Sequence, residues 1–148
     1  MIAVTRLNKI VTVLIYYKHK ILLQLRDQNK NIPYPGCWGF ISGKLEIGDT
    51  PATAARREVQ EELLIKKLKN IKFLYTYLSR KKENIIHYVF KVDLNYIPYI
   101  RLKEGIECSF FSKLDFLKGY KFSKELKKNC WLAKNPVMKK FYFKSSKL

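Results

Sequence analysis

Glu58, Glu61 and Glu62 stand three and four residues apart, so a helix running through them gathers three carboxylates on one side. Acidic residues are otherwise scarce: twelve Asp and Glu accompany thirty Lys and Arg, and five of the twelve fall between Glu46 and Glu62. Clustered carboxylates repel one another, and a helix gains nothing from that arrangement alone. A hard divalent cation relieves the repulsion, and an all-oxygen ligand set suits Mg²⁺ or Mn²⁺. The competing reading is a solvated acidic face balanced by Arg57 and Lys66.

The elements that must position these carboxylates are legible around them. Thr50 is placed to cap a helix, Pro51 suits its first turn, and Ala52 to Leu64 contains no breaker. Ala52, Ala55, Val59 and Leu63 repeat at helical spacing, so that stripe is expected to pack on the core with the carboxylates opposite it. Upstream, Lys9–Tyr17 reads as a buried strand and Ile21–Arg26 as its hairpin partner across the polar break Lys18-His19-Lys20. Asp27–Gly36 reads as a surface loop, and Trp38–Ile41 as a short apolar strand entering Ser42-Gly43. Downstream, Asn70–Arg80 and Asn84–Leu94 read as strands around the charged turn Lys81-Lys82-Glu83. Cys108–Phe111 reads as another strand, after a loop that carries Pro98, Glu104 and Gly105. Ser112 then caps a short helical run, Lys113–Lys118, and Asn135–Phe143 is a candidate terminal helix. Strands, helix, strands, helix make one mixed α/β domain spanning residues 1–148, with a basic C-terminal extension from about 119.

The stretch GKLEIGDTPATAARREVQEELLI, Gly43 to Ile65, resembles the Nudix box: glycine, five residues, Glu, seven residues, then Arg-Glu-apolar-x-Glu-Glu-x-Gly-apolar. Gly43, Arg57, Glu58, Val59, Glu61, Glu62 and Ile65 fall on matching positions. The flanking segments ILLQLRD, WGFISGKLE and EGIECSFFSKLDFL also resemble the family's approach to its motif and its exit, so the likeness runs from about Lys9 to Leu117. Two positions depart from the pattern. Asp49 replaces the first glutamate, keeping the charge with one methylene less of reach, and Leu64 replaces a glycine that usually adopts a left-handed backbone.

The resemblance implies an α+β fold with a mixed β-sheet sandwiched between helices, and a metal-dependent hydrolase that cuts a diphosphate linkage. It implies that Glu58 and Glu62 hold Mg²⁺, or Mn²⁺ in its place, helped by the Gly43 carbonyl. Glu61 is then a further ligand, an indirect one acting through water, or the general base. Arg57 orients the glutamates and retains a partner in Asp49. Glu104 and Glu107 are the downstream candidates for a catalytic base, with Glu107 preferred. Arg26, closing a strand near the cleft, is the candidate for substrate phosphate, and a surface salt bridge is its alternative. Among the aromatics Trp38, Phe40, Tyr75 and Tyr88, Phe40 is the substrate-binding candidate, although aromatics at strand spacing are more often core residues. His87 reads as a strand residue without a catalytic partner.

Composition bounds the partners. The formal charge of +18 favours polyanions. Yet the basic residues are mostly Lys and dispersed, whereas bidentate phosphate recognition favours Arg, so nucleic acid is not preferred over a small nucleotide-type substrate. A small-molecule diphosphatase, an RNA 5′-pyrophosphohydrolase and a non-catalytic nucleotide-binding module are the readings to separate. No apolar run approaches the ~20 residues of a membrane span, and nothing at the N-terminus resembles a secretory leader. Cys37, Cys108 and Cys130 are odd in number and far apart, as expected of reduced thiols in a cytoplasmic protein. A homodimer is compatible with this reading.

Overall fold

The computed structural model describes residues 7–31, 35–63, 68, 70–80, 84–100, 107–112 and 114. Glu104, Leu64, Ile65, Cys130, the Asn135–Phe143 run and the extension from 119 lie outside the described residues, as does the Lys113–Lys118 run apart from Leu114.

A β-branched and apolar run makes β1 (Asn8–Tyr17) the centre of the molecule. Its neighbours are β2 (Lys20–Leu25), β3 (Trp38–Gly39), β4 (Ile41–Lys44), β5 (Ile71–Ser79), β6 (Ile85–Leu94) and β7 (Glu107–Ser112). These strands form one mixed sheet of order β3-β2-β1-β6-β5, with β4 also on β1 and β7 also on β2. β1 runs parallel to β6 from Asn8↔Ile85 to Tyr17↔Leu94. Its other edge is divided. Ile10–Val13 pair antiparallel with Ile41–Lys44, whereas only Tyr16 and Tyr17 pair with β2. The expected hairpin is therefore real but short: β1 and β2 part beyond the turn, and Lys18 turns with φ 53°. The expected Trp38–Ile41 strand is interrupted at Phe40, giving β3 to β2 and β4 to β1.

Alternation along β1 builds two cores. Val11, Val13 and Ile15 face the only helix among the described residues, α1 (Pro51–Leu63), and pack with Leu22, Ile41, Phe90 and Val92. Leu14 turns to the other face, where Ile21, Leu23, Trp38, Phe40, Val89 and Phe111 form a second cluster. There Trp38 and Phe111 meet edge to face at 4.9 Å.

Local chemistry starts α1 sharply. The Thr53 N–H donates to the Thr50 hydroxyl at 3.2 Å, and the Thr50 N–H donates back to the Thr53 hydroxyl at 2.9 Å. This reciprocal cap has Thr in the place where Glu or Gln is usual. The helix buries Ala54, Ala55, Val59 and Leu63. Full burial of side chains such as Val59 and Leu63 contributes roughly 1.5–3 kcal/mol each. Ala52, expected in that stripe, is exposed. Its angle on the helix is right, but first-turn residues are covered only where another element overlies them.

Thr50→Ala removes one half of the cap and is expected to lower unfolding free energy by about 1 kcal/mol. Urea denaturation measures it, and a loss below about 0.3 kcal/mol argues against the cap.

Candidate active site

The site grows from a turn that delivers the chain from β4 into α1. Asp49 N–H donates to the Glu46 carbonyl at 3.1 Å, and Gly48, third in the turn, has φ 88°. That is the type II pattern, in which the third position takes a left-handed backbone that glycine adopts without strain. The Asp49 carboxylate turns back to accept from the Glu46 N–H at 2.9 Å.

Arg57 ties this loop to the helix. Its guanidinium donates to Asp49 Oδ2 at 2.5 Å and to the Lys44 carbonyl at 3.1 Å. Glu46 Oε2 lies 3.4 Å away and Glu58 Oε1 3.6 Å away. The shorter side chain of Asp49 therefore still reaches the arginine. The hydrogen bond from Arg57 holds the Asp49 carboxyl below its ordinary range, and the same bond raises the already high value of Arg57.

Gly43 sits in β4 opposite Val11, on the face that α1 covers. The Glu58 carboxylate lies so close over it that a Cβ at position 43 would overlap the carboxyl carbon and both oxygens. Glu58 is half-buried, and so are Glu61 and Glu62. The expectation that these carboxylates stand opposite the packed stripe is corrected: Glu62 lies on the edge of the apolar arc. A residue seven positions after Ala55 lies only about 20° away from it around the helix. Glu62 interacts elsewhere in the fold, but its Oε2 oxygen is buried and has no hydrogen-bond partner.

Glu107 is the first residue of β7 rather than part of a loop. Paired residues share a face, so Glu107 goes with Leu25 and Cys108 with Gln24. The second pair lies on the α1 side, with Leu22 and Phe110; the first lies on the other side, with Leu23 and Phe111. Burial, then Glu62, then Glu107 push the Cys108 thiol up to about 12, so it stays protonated and is no thiolate nucleophile. Gln24 and Cys108 thus flank the helix carboxylates although neither was expected at the site. The available signal was a polar Gln inside the apolar strand KILLQL.

Arg26 follows β2, half-buried, and its N–H donates to the Cys37 carbonyl at 2.9 Å. Phe40, expected at the substrate, is 3% exposed inside the second cluster, and Trp38 is 1% exposed beside it. Both are core residues here. Tyr75 and Tyr88 are half-buried. His87 stacks on Tyr77 at 4.4 Å, and burial lowers its basicity. Cys37 and Cys108 are free thiols. Among the described residues, no three His, Cys, Asp or Glu side chains are gathered closely enough to hold an ion as they stand.

With this geometry in view, the comparison that decides the family is a match to the NUDIX domain across residues 6–130. The chain belongs to the Nudix hydrolase family. Three solved structures resemble it in fold. The NUDIX domain of Shewanella oneidensis NrtR, complexed with ADP ribose, shares 19% identity at TM-score 0.64, covering 78% of this chain and 79% of that one. A MutT NUDIX hydrolase from Burkholderia pseudomallei shares 23% identity at TM-score 0.61, covering 73% and 84%. A bifunctional NMN adenylyltransferase/ADP ribose pyrophosphatase from Francisella tularensis, complexed with AMP and a manganese ion, shares 24% identity at TM-score 0.56, covering 72% of this chain and 34% of that one. No curated protein matches the chain in sequence.

Because Asp49 is more acidic in the folded chain, its ion pair stabilises fully above the ordinary Asp value, near 3.9. The contribution is lost as pH falls through the lower folded value. The stability gap between wild type and Asp49→Asn is expected to hold from about pH 7 to pH 5 and to narrow below about pH 4. Denaturant titrations across that range check it; a constant gap contradicts the Arg57 assignment.

Proposed function

We propose that this chain is a metal-dependent pyrophosphohydrolase that cleaves the diphosphate linkage of a nucleotide-type small molecule, such as a nucleoside triphosphate or a nucleotide sugar. The observation that carries the reading is the Glu58 carboxylate held over Gly43 by a fold that leaves no room for a Cβ. Next to it, the buried Glu62 Oε2 oxygen fits the requirement for a cation-facing oxygen.

Gly43 (by its carbonyl), Glu58, Glu61 and Glu62 are the residues that would hold Mg²⁺, with Mn²⁺ able to replace it. When bound, the ion neutralises charge on adjacent phosphates. Arg57 holds Glu58 in place from behind and keeps the β4–α1 loop against the helix. Arg26 is the cation proposed for the phosphate chain. A carboxylate takes the proton from the attacking water as its oxygen bonds to phosphorus and the bridging oxygen leaves. Glu61, Glu104 and Glu107 are the candidates for that base. The free thiols accord with a reducing, cytoplasmic setting. No helix of the described residues is long and apolar enough to cross a membrane.

The test is a panel of triphosphates, nucleotide sugars, dinucleoside polyphosphates and 5′-triphosphorylated RNA, with Mg²⁺ or Mn²⁺. Release of pyrophosphate or a nucleoside monophosphate from a small substrate supports the proposal. Turnover confined to RNA, or thermal stabilisation by nucleotide without product, overturns it. Glu61→Gln and Glu62→Gln are expected to abolish metal-dependent turnover in folded protein, and unchanged rates in both refute the site. Gly43→Ala displaces the flexible end of Glu58. It should cut turnover at least about tenfold, equivalent to 1.4 kcal/mol of barrier, while the unfolding midpoint barely moves.

A further inference from the structure

Of the nine large apolar side chains exposed among the described residues, Phe73, Leu74 and Leu78 sit on one strand, β5. Phe73 is 50% and Leu78 45% exposed. β5 ends the sheet, and among the described residues it pairs with β6 alone. Its outer edge is a row of backbone donors and acceptors open to another strand. Natural edges are blunted by short length, charge, proline or bulges. β5 runs nine residues with Lys72 as its one charged side chain and no proline. Its bulge falls between Phe73 and Tyr75, leaving Tyr75–Ser79 regular.

The charge balance makes this edge unusual. At +18, two copies of the chain repel each other over most approaches. Phe73–Ser79 carries no charge at all. A strand running antiparallel to its own copy is two-fold symmetric, and the contact closes after one partner. Full overlap of Ile71–Ser79 centres the two-fold axis on Tyr75. Lys72 then faces Leu78, Phe73 faces Tyr77, and no cation meets a cation.

We propose that the open edge of β5 is a self-association surface, pairing antiparallel with β5 of a second copy to form a symmetric dimer. A strand edge with three apolar side chains covers less than the roughly 1,600 Å² of a standard interface, so the dimer is weak and depends on concentration. Salt strengthens it. Screening shortens the reach of the net repulsion from about 10 Å at 0.1 M to about 3 Å at 1 M, while strand pairing and apolar contact persist. A complex held by charge attraction behaves in the opposite way. The proposal uses no residue of the carboxylate site and stands apart from the hydrolase reading.

Sedimentation velocity on the full chain, from low micromolar to several hundred micromolar at low and high salt, tests it. A monomer–dimer equilibrium that tightens with salt is expected. Leu78→Lys and Phe73→Lys are each expected to weaken it about tenfold, which corresponds to 1.4 kcal/mol, with circular dichroism unchanged. Hydrogen exchange should show alternate amides of Ile71–Ser79 gaining protection as concentration rises. A chain that stays monomeric at the highest concentration and salt overturns the proposal. So does a dimer that folded forms of both variants leave intact, or protection gained only outside β5.

Discussion

The guanidinium of Arg57 is the joint on which the site depends. Loop and helix are separate pieces of backbone, and a carboxylate is useful for phosphate chemistry only when its position is fixed relative to a neighbouring carbonyl. Arg57 spans the two, bound to Asp49 and to the Lys44 carbonyl on the loop side and lying against Glu58 on the helix side. A lysine offers one ammonium point charge, whereas the planar fork serves several acceptors at once. Exposed ion pairs are individually weak. The importance of this one is geometric rather than energetic.

Much of this was legible in the chain. The Thr50-Pro51 start, the unbroken helix behind it and the strand runs on either side all announce themselves through caps, breakers and periodicity. The likeness to the Nudix box picked out Gly43, Arg57 and Glu58 before any contact was known, and the fold brings all three together. The loss of reach at Asp49 is absorbed because the type II turn at Gly48 folds the loop back toward the arginine.

What was not legible depends on distant partners. That Phe40 breaks one apolar run into two strands follows from β2 and β1 competing for it, and no local propensity encodes that competition. The same run buries Phe40 and Trp38 and so removes them from the solvent side. Whether Glu107 belongs to loop or strand is decided by its register against Leu25. The carboxylates were placed opposite the apolar stripe because three- and four-residue spacings were read as separate faces. The rotation per heptad in fact brings Glu62 next to Ala55. A carboxylate inside an apolar arc is itself the mark of a site that tolerates desolvation for chemical reasons.

The parallel pairing of β1 with β6 has a consequence for how the chain reaches this form. The central strand emerges early in synthesis, but its longest partner begins only at Ile85. Every element of the carboxylate site lies on the excursion between them, and closing that long loop costs chain entropy before pairing gives anything back. Until β6 is translated, β1 has only its short contacts with β2 and β4, and the helix rests on a half-built floor. Nascent chains stalled before Ile85 would therefore expose the apolar side of α1, which makes the end of β6 the point where a ribosome-bound copy stops needing protection.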